Sequence, residues 1–169
     1  LEAPDRLLYQ DLWKHHVAVI VTADTLYGCS DFQRFRQLTG LNKSDLILVA
    51  ARPGMGKTAF ALNLALNGAK ASQKDVVVFQ LEMSKDQLAS RFLSSQAMVD
   101  AQKLKTGALD DDDWMKIARA SNVLSKLRIY VDDNPSITVA EIKAKCRRLG
   151  DGLGMVVIDY IQLMQSGGK

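Results

Sequence analysis

The stretch Ala51-Arg52-Pro53-Gly54-Met55-Gly56-Lys57-Thr58 follows an apolar run, residues 46–50, and precedes a run of helix-forming residues that starts at Ala59. A strand, a glycine-containing loop with Gly-Lys-Thr, and a helix form the order that a phosphate-binding loop, or P-loop, requires. In that order the backbone N–H groups of the loop and of the helix N-terminus point at one spot and favour an anion there. The stretch therefore predicts that residues 51–59 bind a nucleoside triphosphate.

Lys57 and Thr58 are the residues of this loop whose side chains would act on the nucleotide. We expect Lys57 to reach the β- and γ-phosphates and the Thr58 hydroxyl to ligate Mg²⁺, so ATP and Mg²⁺ are the predicted cofactors. The usual pattern has glycine where this chain has Ala51, which must therefore adopt a conformation that alanine tolerates. The alternative is a chance Gly-Lys-Thr at a helix start, and the flanking strand and helix count against it.

Three further polar residues are candidates for the rest of a nucleotide site. Asp159 ends an apolar run and has the form of a Walker B acid, which would hold the Mg²⁺ shell at the carboxyl end of a buried strand. Glu82 follows another apolar run, residues 76–80, and a carboxylate there can accept a proton from water as a general base. Gln162 could sense the γ-phosphate. The alternatives are an Asp that caps a turn, an exposed loop Glu and a packed loop amide.

Beyond residue 40 the sequence alternates between strand-like and helix-like segments. Short apolar runs predict strands at residues 46–50, 76–80, 127–131 and 155–159. Helix starts between them are marked by the P-loop, by capping boxes at Ser84 and Thr138, and by the acidic run at residues 110–113. Strands that alternate with helices form a mostly parallel sheet with helices on both faces, so we predict an α/β fold.

Size and composition fit one globular domain. The chain has 169 residues, is 47% hydrophobic and carries a formal net charge of +3, which permits nucleic-acid contact without arguing for it. No apolar run approaches the ~20 residues that span a bilayer, and no signal peptide opens the chain, so we expect a soluble, cytoplasmic protein. Cys29 and Cys146 lack metal-like spacing and are expected to be reduced thiols; the alternative is a disulfide, for which the sequence gives no support. The first residue, Leu1, and the flexible run at residues 165–169 lead us to expect a piece of a longer protein.

Several phrases of the sequence together resemble bacterial replicative DNA helicases of the DnaB type. They are the runs at residues 51–63, 81–84, 104–109, 129–137 and 158–164. These phrases agree in order and spacing, so the resemblance is specific. It implies that residues 28–169 are the N-terminal portion of a RecA-like motor domain, a P-loop NTPase core, that is cut short at its C-terminal end. Residues 1–27 do not resemble the family's linker helix or N-terminal domain, so they are either an unassigned N-terminal segment or a divergent linker. Within them we expect a short helix and a strand at residues 17–21.

The resemblance implies an ATP-dependent DNA helicase that works as a homohexamer around single-stranded DNA and couples hydrolysis to translocation and unwinding. It makes Lys57 and Thr58 the Walker A pair and Glu82 the catalytic glutamate. Asp159 becomes the Walker B acid, and Gln162 belongs to the same motif. Primase and a helicase loader are the expected partners. The family's DNA-contacting loops and arginine finger would lie beyond this chain, and because an arginine finger is worth about 10³–10⁵ in rate, we expect this chain alone to hydrolyse ATP slowly and to unwind nothing.

Two other classes of protein share part of this pattern. A RecA-like ATPase that is not a helicase, such as a recombination mediator or a loader, would have the P-loop and the Walker B acid. It would not have the Leu-Glu-Met-Ser phrase of residues 81–84 in this setting. A non-catalytic protein could keep nucleotide as a structural ligand, and such a protein should tolerate loss of the Glu82 carboxylate.

Overall fold

A computed structural model describes residues 17–22, 46–50 and 54–159 of the chain. Strands and helices alternate along most of its length, as the sequence predicts. In chain order the elements are β1 (Val17–Thr22), β2 (Leu46–Ala50), α1 (Lys57–Ser72), β3 (Asp75–Gln80), α2 (Lys85–Ala97), α3 (Ala101–Thr106), α4 (Asp111–Leu124), β4 (Ile129–Asp132), α5 (Val139–Leu149), a 3₁₀ turn (Gly150–Gly152) and β5 (Leu153–Asp159).

The strands form one five-stranded sheet in the order β2-β1-β5-β3-β4. Every neighbouring pair is parallel, so all carboxyl ends lie at one edge of the sheet. The predicted α/β fold with a parallel sheet is confirmed. Parallel strands need crossover connections, and in the described chain α1, α2 to α4, and α5 supply those that follow β2, β3 and β4.

The core lies on both faces of the sheet. Val76 and Val78 of β3 pack with buried residues of α1, whereas Val77 and Phe79 pack with buried residues of α5. β5 is divided in the same way, with Met155 and Val157 toward α1 and with Val156 and Ile158 toward α5. Burial on both faces explains why these strands are continuous apolar runs rather than alternating ones.

Reciprocal capping boxes start three of the helices. The Ser84 and Thr138 boxes are confirmed, with the partner side chains supplied by Gln87 and Glu141. The backbone hydrogen bond from Thr138 lowers the pKa of the Glu141 carboxyl. Asp110 starts α4 and forms a third box with Asp113, so the acidic run caps the helix and complements its dipole.

Some boundaries differ from those predicted. The sequence does not predict α3, because none of its six residues is fully buried and Leu104 is its one large apolar residue, which leaves no apolar periodicity to detect. β4 starts at Ile129 rather than at Leu127, since the Leu127 N–H donates to the Leu124 carbonyl and prolongs the turn after α4. The strand expected near residues 17–21 is present as β1. The helix expected upstream of it lies outside the described residues. None of the described helices combines the length and the apolar character that crossing a membrane requires.

Candidate nucleotide-binding site

The loop before α1 is shaped by two glycines. Gly54 and Gly56 have φ angles of 78° and 82°, in the left-handed region that residues with a Cβ rarely adopt. Gly56 is also the N-cap of α1 and offers no side-chain acceptor to the first turn of that helix. The N–H groups at the start of a helix carry a partial positive charge, so this end of α1 favours an anion.

Thr58 and Asp159 meet beside this loop. The Thr58 Oγ1 donates a hydrogen bond of 2.7 Å to Oδ2 of Asp159, although the two residues are 101 positions apart in the chain. Asp159 is the last residue of β5 and is only 3% exposed. The two residues predicted to bind the metal are therefore adjacent, and one is a nearly buried carboxylate.

Glu82 follows β3 at the same edge of the sheet. The Leu81 N–H donates to the Asp159 carbonyl at 2.9 Å, which fixes the backbone just before Glu82 against the end of β5. On the other side, the Lys85 N–H donates to the Asp133 carboxylate at 2.9 Å. The Glu82 side chain is exposed, so solvent reaches its carboxylate.

The remaining predicted site residues divide into two groups. Lys57, the first residue of α1, is half-buried, and Met55 and Ala59 are exposed on either side of it. Ala51, Arg52, Pro53 and Gln162 lie outside the described residues, and their roles stay predictions.

Sequence reasoning did not single out Gln80, the last residue of β3. Its side chain is 1% exposed, and it pairs in register with Asp159. The available signal was a polar residue at the end of an otherwise apolar run, directly before the Leu-Glu-Met-Ser phrase. A polar residue in that position is also typical of a turn.

Among the described residues, no cluster of metal-ligating side chains competes with this edge. In the part of the chain that the structure describes, no group of three or more His, Cys, Asp or Glu could hold a metal ion. Cys146 is a free thiol buried on the α5 side of the sheet, and burial raises its pKa to about 12. It therefore stays protonated and is unsuited to act as a nucleophile. The free thiol agrees with the reduced state expected for Cys146, whereas Cys29 lies outside the described residues.

Comparisons with known proteins show which family the chain is similar to. Residues 28–169 match the sequence profile of the family described as "DnaB-like helicase C terminal domain". The replicative DNA helicase DnaB of Geobacillus stearothermophilus is 52% identical over 136 residues, which cover 79% of this chain and 30% of that protein. The replicative DNA helicase DnaC of Bacillus subtilis (strain 168) is 50% identical over 136 residues, with the same two shares. The chain thus spans 30% of the length of either relative.

The fold agrees with that of a solved structure. A DnaB-like replicative helicase, described together with its interactions with primase, aligns with a TM-score of 0.67 and 25% sequence identity. The alignment covers 94% of this chain and 32% of that one.

Proposed function

This chain belongs to the DnaB-like helicase C-terminal domain family, and from that premise we propose that it is the ATP-binding part of a replicative DNA helicase motor. The observation that carries the proposal is the contact between Thr58 at the start of α1 and Asp159 at the end of β5. It joins a P-loop hydroxyl to a nearly buried carboxylate, which is the pair that a Mg²⁺-nucleotide site of this class needs.

The residues present suit Mg²⁺. A hard cation takes oxygen ligands and is usually held by one or two carboxylates together with substrate phosphates, rather than by a cage of protein side chains. The Thr58 hydroxyl and the Asp159 carboxylate supply such oxygens, so a single carboxylate at this point is sufficient. Gly54, Gly56 and the start of α1 would hold the phosphates through their N–H groups, and Lys57 would bind the β- and γ-phosphates.

Hydrolysis needs a group that takes a proton from the attacking water. We assign this role to Glu82, which is solvent-accessible and whose backbone is anchored to the Asp159 strand through Leu81. When bound, Mg²⁺ would stabilise the negative charge that develops on the phosphates. The chain's own contribution is to hold the phosphates at α1, to orient the water and to accept its proton.

Movement along DNA is proposed for the longer protein of which this chain would be a part. Its relatives are replicative DNA helicases, and the chain spans 30% of their length. We propose that the whole protein acts on single-stranded DNA in the cytoplasm as a homohexamer, with ATP hydrolysis driving unwinding. The solved relative described with primase supports primase as a partner, and a helicase loader follows from the family.

The Mg²⁺ part of this proposal is tested with Thr58→Val, which removes the hydroxyl and keeps the branched shape. Titration with a fluorescent ATP analogue should show that the unaltered chain binds more tightly in Mg²⁺ than in EDTA. Thr58→Val should lose most of that difference. Its Kd in Mg²⁺ should rise about tenfold, because one hydrogen-bonding or metal-binding oxygen is worth about 1–2 kcal/mol.

Thr58→Ser is the matched control, since it keeps the hydroxyl, and it should behave like the unaltered chain. Binding that is the same in Mg²⁺ and in EDTA for all three proteins would contradict the assignment of Thr58 to the metal.

A further inference from the structure

The side chain of Gln80 is buried without a hydrogen-bond partner among the described residues. It is 1% exposed, yet neither its Oε1 nor its Nε2 accepts or donates a hydrogen bond to any group in residues 17–22, 46–50 or 54–159. The four residues that precede it in β3, residues 76–79, are all apolar and buried. Buried amides without partners are rare in native proteins, because the lost hydrogen bonds to water are not replaced. Gln80 therefore points to a polar ligand that completes its hydrogen bonds.

The position of Gln80 says what that ligand contacts. Gln80 and Asp159 are register partners on neighbouring parallel strands, which lie about 4.8 Å apart. Alternation along β3 places Gln80 on the same face as Val76 and Val78, which pack against α1. Asp159 is on this face too, since it accepts the hydrogen bond from Thr58 of α1. The unpartnered amide therefore lies beside the Thr58–Asp159 pair.

The Gln80 carboxamide is better suited to bind a water molecule than to bind the metal or a phosphate directly. It offers one acceptor and two donors, so it can accept from a water molecule and donate to a neighbouring oxygen. Mg²⁺ gives up its waters reluctantly and keeps several of them when it binds to a protein. Replacing a side chain that hydrogen-bonds to the ligands of a metal typically lowers metal affinity by about 10- to 100-fold.

We propose that Gln80 is a positioning residue that accepts a hydrogen bond, through Oε1, from a water in the hydration shell of the Mg²⁺ held by Thr58 and Asp159. The inference rests on the proposed function of that pair. In this role Gln80 orients the metal and its waters, and it is not simply a packed core residue. Gln80 touches neither the phosphates nor the reacting atoms and acts through the water that it holds.

If Gln80 has this role, one substitution should preserve or raise the stability of the chain and lower its affinity for the metal. Gln80→Met removes the amide and keeps a similar volume. Without ligand, the variant should be as stable as the unaltered chain or more stable, because an unsatisfied buried group has been removed. Its melting temperature should stay the same or rise by about 2–4 °C. In the presence of ADP, its Kd for Mn²⁺, used in place of Mg²⁺, should rise about tenfold or more.

The experiment combines thermal unfolding without ligand with Mn²⁺ titration in the presence of ADP, the latter read from the paramagnetic resonance signal of free Mn²⁺. Gln102→Met is the matched control, since Gln102 is exposed on α3, and it should change neither quantity. A Gln80→Met chain that unfolds at a lower temperature, fails to fold or binds Mn²⁺ as tightly as the unaltered chain would overturn the assignment of Gln80.

Failure of the underlying site would look different. If the unaltered chain binds Mn²⁺ with ADP no better than Asp159→Asn does, the Thr58–Asp159 site is rejected and the role of Gln80 falls with it. If the unaltered chain binds Mn²⁺ well, Asp159→Asn does not, and Gln80→Met matches the unaltered chain, only the inference about Gln80 is rejected.

Discussion

Replacing Glu82 with glutamine is expected to slow ATP hydrolysis by about 10²- to 10⁴-fold, the usual contribution of a general base. ATP binding should stay within a few-fold of that of the unaltered chain, because glutamine keeps the size and polarity of the side chain. The rate is measured by single-turnover hydrolysis of radiolabelled ATP with protein in excess. This format measures a slow reaction reliably, because each protein molecule needs to react only once.

The matched control for this prediction is Glu141→Gln. Glu141 is the capping-box partner of Thr138 in the first turn of α5, and glutamine can take the same place in a capping box, so the helix should be preserved. Its hydrolysis rate should equal that of the unaltered chain. Equal rates for Glu82→Gln and the unaltered chain would exclude Glu82 as the base and would favour a nucleotide held only as a structural ligand.

Replacing Lys57 with alanine is expected to weaken Mg²⁺-ATP binding by about 10²-fold. The lysine would make charge-assisted hydrogen bonds to phosphate, each worth about 1.5–3 kcal/mol, and 1.4 kcal/mol corresponds to a factor of ten. Lys126→Ala is the control, because it changes the net charge equally but lies just before β4, at the opposite edge of the sheet. Calorimetric titration measures both, and an equal loss in the two variants would mean that only general charge attraction had been lost.

The fold was largely predictable because its signals are local. A strand that is buried on both faces is a continuous apolar run. Two of the capping boxes are recognisable in the sequence, because their two residues are three positions apart. The order of the strands was not predictable in this way. β1 lies between β2 and β5, an arrangement that depends on pairing between residues far apart in the sequence. Periodicity carries no information about such pairing.

The positions of Lys57, Thr58 and Asp159 in the candidate site were predictable in the same way, and their roles in binding nucleotide and metal stay predictions. Lys57 and Thr58 could be found because a Gly-Lys-Thr loop needs backbone freedom, and the structure has Gly54 and Gly56 in the conformation that provides it. Asp159 was found from its place at a strand end. The role proposed for Gln80 needed the structure, because burial without a partner is a property of three-dimensional surroundings.

A crystal structure of this chain with Mg²⁺ and a non-hydrolysable ATP analogue would test the proposed nucleotide site most directly. We predict phosphates at the N-terminus of α1 and Mg²⁺ ligated by Thr58 Oγ1 at about 2.0–2.1 Å, with the Asp159 carboxylate beside the metal. Nucleotide bound elsewhere, or a Thr58–Asp159 pair with no metal next to it, would contradict the proposed site.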